Sequence, residues 1–179
     1  MIKYQEALDT LKKSQEESYL GETVSKLDHA LQAAYFALRS EHSQDVVIAS
    51  LFHDIGHCVL NEKVKKVDES AAMSHKEIAA KQMIEWGFSE KIATLVYNHV
   101  DAKRYLAACN RKYQSQLSEL SQKNLESQGG PMDPSEMIKF AEGPYFRESL
   151  QVRTNNERAK ISGLEVPGID LYEKIIRNL

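Results

Sequence analysis

Apolar residues recur along the chain at spacings of three and four, and the strict alternation of a half-buried strand is nearly absent. That pattern predicts helices almost throughout. A first helix is expected over about 4–18 and a second over about 25–40, the latter with Leu27, Ala30, Leu31, Ala34, Tyr35 and Leu38 on one stripe. Leu20, Gly21 and Glu22 fall in the loop between them. From Asp45 to about His57, the residues Val46, Val47, Ala49, Leu51 and Phe52 leave little polar face, as suits the innermost helix of a bundle; its end is expected at Gly56 or just after. The charged stretch 61–73 reads as a loop. Ser74 can cap a helix from His75 to about Trp86, stopped by Gly87, and Ser89 caps the next, EKIATLVYNHVDAKRYLAA. Residues 113–126 are polar with widely spaced leucines, and Gln128–Gly129–Gly130–Pro131–Met132 is a firm break, either a plain turn or a loop over a site. Pro134 suits the first turn of a helix over about 134–141; another is expected over about 144–161, and a short last one after Val166–Pro167–Gly168.

No internal repeat and no long linker occurs, so the expectation is one all-α helical bundle over 1–179, with its site-bearing core at about 18–160 and a C-terminal tail at 161–179. At 179 residues and 42% hydrophobic, the chain can bury a sizeable core without disulfide or metal staples. A net charge of −3 provides no basic field for nucleic acid or an anionic membrane. Any anionic ligand must therefore be met by a few placed cations in a pocket. Cys58 and Cys109 have no metal-finger or redox spacing, the first twenty residues lack a secretory apolar run, and no window resembles a membrane span. These features predict a cytoplasmic protein.

The chemistry lies in the histidines. His29, His53, His75 and His99 fall in or beside separate predicted helices, and Asp54 follows His53 directly. A single helical histidine is ordinarily a core or surface residue, and an isolated His-Asp pair carries little information. The ordered set His, His-Asp, His, His is specific. Imidazoles suit iron, zinc, copper or nickel, and a carboxylate between two imidazole sets can bridge two metal ions.

On these residues the sequence resembles the HD-domain superfamily, all-helical metal-dependent enzymes of which most are phosphohydrolases. His29, His53–Asp54 in ASLFHDIGH, His75 in SHKEIAA and His99 in YNHVDAKRYL carry the likeness, and the presence of both His75 and His99 resembles the dinuclear subgroup. The segments SYLGETVSKLDHALQAAYFA, LFHDIGH, NHVDAKRYL, SQGGPM and FRESLQVR narrow it. Over about 18–160 they resemble the mixed-valent di-iron oxygenases that cleave α-hydroxyphosphonates, of the kind that converts 2-amino-1-hydroxyethylphosphonate and O2 to glycine and phosphate. The resemblance implies two iron ions, one served by His29 and His53 and the other by His75 and His99, with Asp54 bridging. It implies a temporary iron ligand in Tyr19, a contact to the substrate amine from Glu22, and phosphonate binding by His57, Lys103, Ser121 and Arg153.

The residue chemistry agrees. A phosphonate with one to two negative charges wants chelating donors, and His57 and Lys103 lie one turn after His53 and His99, on the same helix faces. A phenol oxygen suits ferric iron, and a carboxylate complements an ammonium group. Taken singly, Lys103 reads as a solvated lysine, Ser121 as a cap, Arg153 as a surface ion pair, Tyr19 as a core residue and Glu22 as a solvent-facing one. Their joint placement raises them.

One position departs from the family. Its sixth ligand, an Asp, falls on Asn156 in RTNNERAK. A neutral amide oxygen would hold the iron of His29 and His53 less tightly and stabilise its ferric form less. Tolerated variation, a substituted ligand, and a shifted register that gives the role to Glu157 are three readings; Arg153 fixes the register against the third.

Three other functions fit the same residues. A phosphohydrolase would aim a hydroxide from two divalent ions at a phosphoester. The oxygenase chemistry could act on a trimethylammonium or a hydroxymethyl analogue, Glu22 favouring a cationic substituent over the latter. A sensor that binds without turnover would be consistent with Asn156. The expected partners are a small phosphonate and O2.

Overall fold

The computed structural model describes residues 3–16, 24–64 and 74–179, with the side chains of Glu16 and of 61–64 excepted. The described elements are helices: α1 Tyr4–Lys12, continued by a 3₁₀ turn Lys13–Glu16, α2 Lys26–Arg39, α3 Gln44–Phe52, α4 Ile55–Val64, α5 His75–Glu85, α6 Glu90–Cys109, α7 Arg111–Gln116, α8 Glu119–Ser127, α9 Pro134–Ala141, α10 Phe146–Arg158 and α11 Ile169–Arg177. The all-α expectation holds.

Serines start most of the helices that carry the site. Ser25, Ser43 and Ser89 each accept a backbone N–H from the first turn, and Ser74 and Asp133 form capping boxes with Glu77 and Glu136. Each cap contributes about 1 kcal/mol by satisfying donors that the helix leaves open. The caps also fix the register in which the helices present their histidines.

At the centre lies α3, whose residues from Val46 to Phe52 are all buried. Packed on it are α2, α6 and α10, while α5 packs between α4 and α6. Phe52 meets Trp86 and Phe88 at ring-centroid distances of 6.4 and 5.6 Å, tying the end of α3 to the end of α5. The tail is part of the same core: Tyr172 and Ile176 are buried in it, and the Tyr172 hydroxyl donates to the Leu31 carbonyl at 3.3 Å. Gln32 and Ile161 exchange two hydrogen bonds, of 2.8 and 3.0 Å, which fix the chain where it leaves α10.

Three boundaries differ from expectation. The third helix does not run to Gly56; it ends at Phe52, His53 and Asp54 form a turn, and α4 begins at Ile55 and continues to Val64, into the stretch read as a loop. Gly56 is not a helix stop. A Cβ there would collide with the His75 carbonyl, so the glycine permits close approach of α4 to the start of α5. The polar stretch 113–126 forms α7 and α8, with Leu117 and Leu125 buried against Ala107 and Tyr113 in a small second cluster. Helix α10 starts later than expected, after Tyr145 in a left-handed conformation, φ 61°, and ends at Arg158, short of 161.

Candidate metal centre

Five elements converge on one point. Helix α2 supplies His29, the turn between α3 and α4 supplies His53 and Asp54, α5 supplies His75 as its first residue, and α6 supplies His99 at its middle. Helix α10 brings Arg153 and Asn156 against the same cavity.

Backbone carbonyls set the imidazole tautomers. His29 Nδ1 lies 2.5 Å from the Ala159 carbonyl, His53 Nδ1 2.8 Å from that of Ser50, and His99 Nδ1 2.6 Å from that of Val96. A carbonyl only accepts, so each Nδ1 carries the proton and each Nε2 presents a lone pair inward. Such backbone-tethered rings are the usual outer support of metal-ligating histidine. All three rings are buried, at 1, 1 and 3% exposure.

Asp54 stands between two imidazole sets. Its Oδ2 is 3.2 Å from His53 Nε2 and 3.9 Å from His29 Nε2, while its Oδ1 is 3.4 Å from His99 Nε2. The result is two groups that share one carboxylate, His29–His53–Asp54 and Asp54–His75–His99, each with its donor atoms within 4.8 Å of one another. One oxygen faces each group, as a bridge between two ions requires. His75 has its ring stacked on His57 at 4.4 Å between centroids, so His57 buttresses a member of the second group.

The electrostatics suit cations. Burial, then the neighbouring His53, pushes His29 down to about 3; burial, then His99 and His57, does the same to His75. Burial also lowers His99, against the pull of Asp54. Burial alone would raise the Asp54 carboxyl, but the charge of His53 and His99 and the hydrogen bonds they give it when Nε2 carries a proton outweigh burial and hold it well below the usual range. Neutral imidazoles around an ionised carboxylate are the protonation states that metal binding needs.

Asn156 supplies a further sign of fit. It is 1% exposed, and its Oδ1 is buried without a hydrogen-bond partner. A buried carbonyl left so costs about 1–3 kcal/mol, and a metal ion beside it would supply the missing partner. Glu157 is otherwise engaged: its carboxylate meets the Arg153 guanidinium, accepts from the Tyr113 hydroxyl at 3.2 Å and lies 3.6 Å from Lys160 Nζ. The shifted register that would make Glu157 the ligand has no support in this geometry.

The four residues expected to bind phosphonate border one cavity with the histidines. His57, Lys103, Ser121 and Arg153 line it together with Asp54, His75, His99 and Asn156. Lys103 and Arg153 are 5 and 4% exposed, and of the two Arg153 has a carboxylate partner in Glu157. Burial, then the Arg153 charge, lowers Lys103 to about 7. The Ser121 hydroxyl accepts from Lys160 Nζ at 3.2 Å. Tyr19 and Glu22 lie outside the described residues.

Sequence reasoning missed several neighbours. Asn124 and Gln128 line the cavity, and both also line a second hollow that reaches past His57 and His75 to Lys76, Asp101 and Arg104. Arg104 donates to the Gly130 carbonyl at 2.9 Å and pairs with Glu136 at 2.8 Å, holding the break after α8 beside that hollow. Ala159, Tyr113 and Lys160 were also missed. An i, i+4 pairing of Arg153 with Glu157 could be read from spacing, whereas the approach of Tyr113 from 40 residues away could not.

Comparison with known proteins agrees with this arrangement. A family model described as "HD domain" matches residues 26–140, which include the four histidines and Asp54. A hydroxymethylphosphonate dioxygenase of Gimesia maris is 34% identical over 157 residues, covering 87% of this chain and 78% of the relative. A 1-hydroxy-2-(trimethylamino)ethylphosphonate dioxygenase (glycine-betaine-forming) of Leisingera caerulea is 36% identical over 152 residues, covering 85 and 77%. An uncharacterised protein of Acanthamoeba polyphaga mimivirus is 34% identical over 159 residues, covering 88 and 73%. No helix among the described residues is long and apolar enough to cross a membrane. With its donor set in place and these relatives matched over most of their length, the chain belongs to the HD-domain family of metal-binding enzymes, in the branch that holds the phosphonate dioxygenases.

Proposed function

We propose that the protein holds two iron ions and uses O2 to cleave the carbon–phosphorus bond of 2-amino-1-hydroxyethylphosphonate, giving glycine and phosphate. The observation that carries this reading is the Asp54 carboxylate, which offers one oxygen to His29 and His53 and the other to His99. His29, His53 and Asn156 would hold one ion and His75 and His99 the other, with Asp54 shared. When bound, the pair would supply the activation of O2 and the redox chemistry that no side chain provides.

The rest falls to the chain. Lys103, Arg153, His57 and Ser121 would bind and orient the phosphonate, and the deep burial of the two cations strengthens their grip by excluding water. Glu22, by its charge, would receive the ammonium end. Tyr19, close by in the sequence, would be a temporary iron ligand until substrate arrives. The reaction balances without another oxidant: one oxygen atom of O2 completes the glycine carboxylate, the other completes phosphate, and the carbon–phosphorus bond is lost.

The test is iron content measured together with O2 uptake on this substrate. Two irons, with glycine and phosphate formed one for one with O2 consumed and one ¹⁸O from ¹⁸O2 in each product, are expected. Hydrolysis of a nitrophenyl phosphate with added manganese, without O2 uptake on any phosphonate, would make the protein a phosphohydrolase instead. Preference for the trimethylammonium or hydroxymethyl compound would keep the reaction and change the substrate.

A further inference from the structure

Beside the cavity, a connected set of contacts holds Arg153 and Ser121, two of the residues that line it. Arg153 Nε donates to the Tyr113 hydroxyl at 2.9 Å, that hydroxyl donates to Glu157 Oε1 at 3.2 Å, and the same carboxylate oxygen pairs with Arg153 Nη2. The other carboxylate oxygen lies 3.6 Å from Lys160 Nζ, which donates to Ser121 Oγ at 3.2 Å. Tyr113 is itself packed on the small cluster of Ala107, Leu117 and Leu125, so the triangle is anchored to α6, α7 and α8 as well as to α10.

The stereochemistry of the guanidinium gives this set a role. Arginine offers two forked edges, one formed by Nε with Nη2 and one by Nη1 with Nη2. On the first, Nε donates to Tyr113 and Glu157 lies beside Nη2 as an ion pair, while Nη2 is buried with no hydrogen-bond partner. The second is left for a tetrahedral oxyanion in the cavity that Arg153 lines. We propose that Tyr113 and Glu157 are positioning residues: they fix the plane of Arg153 and, through Lys160, the Ser121 hydroxyl, so that the cavity meets a phosphonate or phosphate with its donors already in place. Neither lines the cavity itself. Glu157 also supplies the negative charge that keeps Arg153 and Lys160 together before an anion arrives.

The proposal rests on the reading of the cavity as an oxyanion site, and the experiment separates the two. Inorganic phosphate and methylphosphonate are titrated calorimetrically into the iron-loaded full-length protein, with iron content and circular dichroism recorded for each variant. Wild type is expected to bind both, and Arg153→Ala to lose both. Tyr113→Phe, which removes one oxygen and no charge, is expected to weaken both about tenfold with iron content unchanged. Glu157→Gln is the second variant: positioning predicts weaker binding, whereas simple removal of a competing negative charge predicts tighter binding.

Wild type that binds neither anion, or Arg153→Ala that binds as wild type does, overturns the oxyanion site and the proposal with it. Tyr113→Phe and Glu157→Gln that bind as wild type or tighter, while Arg153→Ala fails, overturn the positioning role alone. With turnover, Tyr113→Phe should raise KM for the phosphonate and leave kcat within about twofold, a split that a merely structural defect would not give.

Discussion

His29 and His53 face each other with their Nε2 atoms 3.1 Å apart, while each Nδ1 is committed to a backbone carbonyl. Two lone pairs at that distance repel, and a cation between them turns the repulsion into ligation. Metal removal is therefore expected to destabilise the fold and not merely to silence it. The thermal midpoint should fall on treatment with a chelator and return with ferrous iron; an unchanged midpoint would mean that the pair is held by protein contacts alone.

Asn156→Asp should tighten the ion served by His29 and His53, since it places a charge where a neutral, partnerless carbonyl now sits. Outer partners of metal ligands are worth about 10–100-fold in affinity, and a direct ligand should be worth at least that. Competition with a graded series of chelators measures it. Equal affinity of the two proteins would remove Asn156 from the ligand set.

Lys103 makes anion binding depend on pH. Burial and Arg153 lower it to about 7, so its ammonium form fades as pH rises through that value, and affinity for phosphate should fade with it. An anion favours the charged form, so binding near pH 7.5 should take up a proton. Comparison with Lys103→Arg, whose charge persists, cancels the ligand's own ionisation; identical pH profiles for the two proteins would contradict the assignment.

Stability of the metal-free protein should also follow pH. His29 and His75 are each lowered to about 3, against 6.5 for the free side chain. Between those values the unfolded chain binds the protons and the folded one does not, so stability present above about 6.5 is lost progressively toward 3. Urea unfolding of chelated protein from pH 8 to pH 4 checks the sign, and a flat profile would show that these rings are charged or exposed in solution.

Gly56→Ala should damage the site from outside it. The added methyl meets the His75 carbonyl, so α4 and α5 must separate, at about 1–3 kcal/mol for an overpacked contact. His75 moves with its helix, and the ion it serves should be lost first. Iron content near one per chain, with a lowered thermal midpoint, is the expected result; full iron content would mean that the helices absorb the methyl elsewhere.

How far the sequence carried depended on the range of the interaction. Ser25, Ser43, Ser74 and Ser89 act on donors within three residues, so helix starts at α2, α5 and α6 were legible to within a residue. The set His29, His53–Asp54, His75, His99 was legible by its order and by family resemblance. Gly56 was not, because a glycine that ends a helix and one that admits a neighbouring backbone look alike until the neighbour is known. The short helices α7 and α8 were missed because Leu117 and Leu125 bury in a cluster with Ala107 and Tyr113, a seam too small to impose a period. Tyr113 and Ala159 act across 40 and 130 residues, a distance at which local pattern says nothing.

That last separation bears on biosynthesis. A nascent chain emerging from the ribosome has all four histidines and Asp54 once α6 is out, but the carbonyl that orients His29 lies 130 residues after it. At about 5–20 residues per second, the ring waits roughly 6 to 26 seconds for its tether. Until then His29 lacks the carbonyl that orients its ring. Docking of α10 supplies the Ala159 tether and Asn156 together, so on the reading proposed above the ligand set is complete only once that helix is in place.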